Sequence, residues 1–232
     1  MAQQKEMTLL EHLGELRDRL VKAAIALGVT TLFSVIFARR ALQLLIAPMG
    51  ENRPVALHPT ESIISYFKVA LIMGIVLAMP VIIYQLIRFA VPGLTPQEKR
   101  YMYVIIPGAT VSFALGVAFA GLVMLPFQMR FLQGFMSDLI NPSWSIGGYI
   151  SFATAVLFWV GLSFETPLII FFLAKMGVVN VQLLTRGRRY AILIVAVLAA
   201  IITPTPDPFN MLLVMAPLLL LYELGVLLAR LA

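Results

Sequence analysis

Three carboxylates hold most of the chemistry this chain could do. Glu165 lies in the run VGLSFETPLII, inside an otherwise apolar stretch. A lone carboxylate at such a depth costs about 3 kcal/mol on insertion scales, so its presence calls for a reason. It could be a polar site in a concave cavity, a contact to a partner's polar group, or a hydrogen bond to Ser163, Thr166 or a neighbouring helix. Pro167, two residues on, is expected to kink that helix because it cannot donate a backbone hydrogen bond. Glu15 belongs to LLEHLGELRDRL. At helical spacing Leu9, Leu13, Leu16 and Leu20 form an apolar stripe, while Glu11, Glu15, Asp18 and Lys22 fall on another side. Surface helices that lean on a membrane are usually basic, so an acidic stripe points to a face that binds cations. Arg19 offers Glu15 a local partner worth about 0.2–0.5 kcal/mol at that spacing. Glu98, in FAVPGLTPQEKRY, has two readings. It could close a capping box with Thr95 as N-cap and Pro96 at the first helical position, or stand exposed among Arg88, Lys99 and Arg100.

Other chemistries lack their residues. Cysteine is absent, and the two histidines, His12 and His58, are far apart in sequence and on opposite sides of the membrane. No metal site, cofactor, glycine-rich phosphate loop or nucleophile–base set is indicated. Asp207, in TPTPDPFN, is expected to cap the last helix or close an Asx turn. Lys68 is expected to snorkel outward, and Glu223 to form a salt bridge near the inner surface. The Gly116 to Ala120 spacing reads as helix packing.

The elements that must position these residues are apolar helices. Of 232 residues 61% are hydrophobic and 12% charged, and the mean hydropathy is +0.96. Soluble domains carry about 25% charged residues, so this is an all-α polytopic membrane protein. A net charge of +6 could suggest nucleic acid, but in a membrane protein it encodes orientation, and no nucleic-acid partner is expected. One integral membrane domain is expected over 1–232, with an interfacial helix at about 8–20 and six spans. These fall at about 20–37, 63–90, 101–127, 149–176, 190–202 and 209–228. The fifth is short for a hydrocarbon core of about 30 Å, which implies local thinning or partner helices. The longest loops, 38–62 and 129–148, are expected to pack as caps. The first twenty residues carry acids and lack a short apolar core with a cleavage site, so no removable signal peptide is expected. With the N-terminus inside, twelve of the 17 Lys and Arg fall on the inner side and four, Arg39, Arg40, Arg53 and Arg130, outside. That predicts both termini on the cytoplasmic side.

The sequence also resembles a known family. HLGELRDRL is similar to the HLxELRxRL signature of the TatC family, the twin-arginine translocase subunit. RFAVPGLTPQEKR resembles that family's first cytoplasmic loop, and SFETP its intramembrane glutamate with a following proline. TPTPDPF and LLLLYELGVLLAR resemble its last turn and last span, so the likeness covers essentially the whole chain in order. The resemblance implies a concave, cup-like arrangement with a short final helix pair in the plasma (inner) membrane, and no catalytic site. It implies a receptor for signal peptides with consecutive arginines on folded precursors, exported by the proton-motive force. Single-span partners of the TatA and TatB type, and self-association in a larger complex, are implied as well. Glu15 and Glu98 match the family's carboxylates that accept the arginine pair, a fit for bidentate guanidinium chemistry. Arg17, Arg19, Phe89, Pro92 and Leu94 match the surrounding pattern, and Pro48 matches a proline of the first outer loop. Glu165 matches the glutamate that faces the cup. The family often opens its last span with Ser-Gln; here Asn210 and Met211 stand there, leaving Asn210 as the polar partner contact, near Asp207.

A reading from another class is a proton- or ion-coupled permease with Glu165 as relay. Against it stand a single clear intramembrane acid and the lack of a visible repeat. An intramembrane hydrolase lacks its nucleophile.

Overall fold

The computed structural model describes residues 9–50, 52–90, 96–136, 139, 143–203 and 207–231, with side chains from residue 13 onward except those of 90 and 96–104. Ten α-helices are seen among these residues. They are α1 (Leu9–Val35), α2 (Ala38–Ile46), α3 (Glu61–Ala90), α4 (Pro96–Phe119), α5 (Leu125–Gly134), α6 (Ile146–Ser163), α7 (Thr166–Lys175), α8 (Val181–Arg186), α9 (Arg188–Ile202) and α10 (Pro208–Ala229). No strand occurs among the described residues, only one isolated bridge between Val55 and Ser145.

Four stretches are long and apolar enough to cross a bilayer: α3, α4 continuing into α5, α6 with α7, and α10. The bent pair α1 and α2 makes a fifth if counted as one span. Helix α9 has 15 residues, about 22 Å at 1.5 Å per residue, which is short of a hydrocarbon core.

The expected surface helix and first span are one uninterrupted helix, α1. No proline falls between them, and Gly14 and Gly28 are isolated glycines that a helix tolerates at about 1 kcal/mol each. The first outer loop, in turn, contains structure of its own. The chain bends by 75° after Val35 into α2, which continues as a 3₁₀ turn, Ala47–Met49. The two outer segments are tied together, since the Val55 N–H donates to the Trp144 carbonyl at 2.9 Å and the Ile146 N–H to the Val55 carbonyl at 2.9 Å. They pack as a cap. Lys68, expected to snorkel outward, finds a partner in the protein. Its ammonium donates to Ser151 Oγ on α6 at 2.6 Å, because a partner on the adjacent helix lies within reach and the interface does not need to be.

A helix end shielded from water must satisfy its last carbonyls within the protein. Hydroxyls from neighbouring helices do this at four places. Tyr66 donates to the Val35 carbonyl at 2.6 Å, Tyr149 to that of Leu45, Ser112 to that of Phe164 at 2.7 Å, and Tyr222 to that of Leu184 at 2.7 Å. The N-termini are closed as well: Ser145 caps α6, Asn180 caps α8 and Asp207 caps α10.

Three helix crossings depend on a missing side chain. A Cβ at Gly74 of α3 would stand 2.3 Å from Thr31 Oγ1 and 2.8 Å from Thr31 Cα on α1. There Thr30 donates to the Gly74 carbonyl at 2.8 Å, so backbone and hydroxyl meet directly. A Cβ at Gly116 of α4 would meet Gly161 Cα of α6 at 2.8 Å. One at Gly225 of α10 would meet Ile170 Cδ1 at 2.6 Å and Pro167 Cα at 3.3 Å on α7. Such close approach is how helices associate where lipid removes the hydrophobic driving force. The Gly74→Val substitution is expected to lower the thermal midpoint of the purified protein by an amount equivalent to about 1–3 kcal/mol, the usual cost of overpacking. Gly28→Ala, where a Cβ meets nothing within 4 Å, is the control. Equal melting of the two variants would contradict the crossing.

Candidate functional site

The first component of the site is Glu15, on α1. It is partly buried, and Glu15 Oε1 accepts from Arg19, whose Nε lies at 2.9 Å and whose Nη2 also reaches it. Arg19 Nη1 donates to Gln85 Oε1 of α3 at the long limit of 3.5 Å. Glu15 Oε2 is buried and has no hydrogen-bond partner among the described residues. The carboxylate is thus half-satisfied, with one oxygen held by a guanidinium and the other free to accept a second donor. Gln85 is the residue that sequence reasoning missed. Its signal was a polar amide in the apolar run PVIIYQLIRF, which a count of charges passes over.

The other residues expected at this end are placed unequally. Phe89 is half-buried and lies one turn beyond Gln85 on the same face of α3. Arg17 is exposed and pairs with its neighbour Asp18 at 3.1 Å, away from Glu15. Arg88 donates to Tyr84 at 2.8 Å and lies over its ring. Glu98 lies near the start of α4, whose first residue is Pro96. Its side chain lies outside those described, and Pro92 and Leu94 lie outside the described residues.

The second component is the cavity framed by α1, α3, α4, α6 and α7, with a volume of about 650 Å³. Its wall on α3 runs from Ile75 to Ile87, about 18 Å of helix, and ends level with Gln85. Among its lining residues Glu165 is the only ionisable one; the rest are apolar. Glu165 is buried, and its Oε1 has no hydrogen-bond partner among the described residues. The local fold explains how it comes to be there. Pro167 cannot donate to the carbonyl four residues back, so the helix stops at Ser163 and restarts at Thr166. Glu165 sits in that break, and the orphan carbonyl of Phe164 is taken by Ser112. Ser163 donates to the Trp159 carbonyl at 2.7 Å, so it does not serve Glu165.

The third component is the turn before α10. Asp207 Oδ1 accepts from the Asn210 N–H at 2.7 Å and Oδ2 from Asn210 Nδ2 at 2.9 Å. Asn210 is buried, behind Phe209, which stacks on Phe131 at a centroid distance of 4.0 Å. Pro48 lies in the 3₁₀ turn after α2, far along the chain from the carboxylates. Glu223 pairs with Arg188 at 2.7 Å. Gln128 of α5 is wholly buried, and neither amide atom has a partner among the described residues. No cluster that could hold a metal occurs among the described residues.

These features define a polytopic helical membrane protein with a few polar groups held among its apolar helices. The family model of the Sec-independent protein translocase protein (TatC) matches residues 11–217. The TatC of Carboxydothermus hydrogenoformans is 37% identical over 228 residues, covering 97% of this chain and 94% of that one. The TatC of Aquifex aeolicus is 37% identical over 232 residues, covering 97% and 96%. A crystal structure described as the twin arginine translocase receptor TatC superposes with a TM-score of 0.84 at 37% identity, over 95% of this chain and 98% of that one. The chain belongs to the TatC family, membrane components of Sec-independent protein translocation and not enzymes.

Ser112→Ala leaves the Phe164 carbonyl without its donor beside Glu165. The expected result is a loss equivalent to about 1–3 kcal/mol in thermal stability, restored by Ser112→Thr. Unchanged melting of Ser112→Ala would show that this bond does not hold the break.

Proposed function

We propose that this protein is the core receptor of a twin-arginine translocase, taking the arginine pair of signal peptides on folded precursors at its cytoplasmic face. The observation that carries this reading is Glu15. One of its oxygens already accepts from a guanidinium, and the other is buried with no partner among the described residues, so a ligand arginine can displace Arg19 and engage both oxygens. Glu98 is the second carboxylate of the clamp, with Phe89, Pro92 and Leu94 shaping the approach and Arg17 and Arg19 completing the helix signature. The chain then has six spans with both termini cytoplasmic in the inner membrane, with α9 counted as a short span. The single domain covers the chain, and Asp207 and Pro48 hold the turns at which its outer loops fold back.

The cavity with Glu165 then receives the apolar part of the signal peptide or the single span of a TatA- or TatB-type partner, and Asn210 offers a second polar contact at the start of α10. Export is driven by the proton-motive force, and several copies associate in the working complex. A permease relay needs successive ionisable groups along a path. The cavity lining supplies one, which favours a docking role over a relay.

The test is binding of a synthetic signal peptide to the reconstituted protein. Glu15→Ala and Glu98→Ala are each expected to weaken binding at least tenfold, and replacing the peptide's arginines with lysines should weaken it in the wild type. Wild-type affinity in both single variants and in the double variant would overturn the assignment. For the cavity, Glu165→Gln is expected to reduce crosslinking of a single-span partner while leaving peptide binding at the cytoplasmic face intact. pH-driven solute uptake by vesicles that is lost in Glu165→Gln would favour the permease instead.

A further inference from the structure

A second cavity, apart from the one that holds Glu165, opens under α2. It measures about 500 Å³ and is lined by Leu44, Leu45 and Pro48 from the α2 segment, Met73 from α3, and Gly121 and Leu122 from the helix facing them. Two sequence features build it. The chain turns by 75° after α1, so α2 lies across the end of that helix. On the facing side, residues 120–124 form a π-helical turn between α4 and α5. Pro126 follows directly and cannot donate to the carbonyl four residues back, which frees the ladder to shift to the wider spacing. Gly121 within that turn leaves room that a side chain would fill, since a Cβ there would meet only Leu157 Cδ2, at 3.5 Å.

Two cations stand beside this cavity on α2. Arg39 and Arg40 are exposed on its first turn, and among the described residues neither side chain takes part in a hydrogen bond or an ion pair. Arg40 is the nearer of the two to the cavity side of the helix, with Arg39 one residue further round. Leu44 lies one helical turn beyond Arg40 on the same face, is 74% exposed, and lines the cavity. A continuous path therefore leads from a guanidinium at the interface, across Leu44, into an apolar slot within the bilayer.

We propose that this slot is a binding site for one anionic phospholipid, with its phosphate on Arg40, Arg39 adding charge beside it, and one acyl chain in the cavity. The geometry selects this occupant over a partner helix. The α2 segment and Pro48 roof the slot on the interface side, so a helix that crosses the whole membrane would collide with them. An acyl chain ends at the interface, where the roof begins. The charge selects the headgroup, because two unpaired arginines at a membrane surface favour an anionic lipid by about fivefold each.

The test uses the full-length protein in nanodiscs of phosphatidylcholine with and without phosphatidylglycerol of the same chains, with retained lipid counted by native mass spectrometry. The wild type is expected to retain one phosphatidylglycerol at least fivefold in preference to phosphatidylcholine. Arg39→Gln combined with Arg40→Gln, both on the surface, should abolish the preference. Gly121→Leu should reduce retention of both lipids, because it fills the slot. A phosphatidylglycerol with a photoreactive acyl chain should label the wild type around Leu44 and Gly121, a readout that does not depend on any variant folding. Equal retention of the two lipids by the wild type, a preference unchanged in the double variant, or acyl labelling confined to other surfaces would overturn the proposal. So would a photoprobe at Leu44 that captures only protein in native membranes.

Discussion

A helix end cut off from water has carbonyls without donors, and four such ends among the described residues are built around that fact. Where a helix stops, its last carbonyls would be orphaned at a cost of several kcal/mol each in an apolar medium. The chain answers with hydroxyls borrowed from neighbours: Tyr66 for α1, Tyr149 for α2, Ser112 for the break after α6 and Tyr222 for α8. These bonds do more than satisfy atoms. Each joins the end of one helix to the side of another, so the breaks that would weaken a bundle become its cross-ties.

The same arrangement makes room for polar function. Glu165 can sit in an apolar cavity because the helix break that exposes it is stabilised by Ser112. Glu15 stays partly buried because Arg19 and Gln85 share its surroundings between α1 and α3. In both places the protein holds a carboxylate incompletely satisfied. An oxygen with no partner among the described residues is a cost in the free state and a gain when a donor arrives, which suits the binding role proposed for these two groups and sets them apart from an ion pair such as Arg188 with Glu223.

Much of this was legible before the fold was known. Apolar length outlined the helices, the TPTPDPFN turn announced the Asp207 cap, and a carboxylate followed by proline in an apolar run marked the break at Glu165. What stayed hidden depended on neighbours. Lys68 was read from its own stem length, which suits snorkelling, yet Ser151 lies 83 residues away in sequence and 2.6 Å away in space. Gln85 and Gln128 carry no charge, so nothing local distinguishes an amide that faces a site from one sealed in the core. The continuity of α1 through Leu20 was missed because a change from amphipathic to wholly apolar pattern looks like a boundary, although the backbone has no reason to stop there.

The glycine crossings have a mechanical consequence. At Gly116 and Gly161 the backbones of α4 and α6 are in contact, and at Gly225 α10 meets the backbone of α7. Approach this close leaves little room to re-pack, so each crossing resists sliding. The chain passes from α6 to α7 through residues 164 and 165. Any change in the angle between those two helices would turn on these two residues, carrying the Glu165 carboxylate with it.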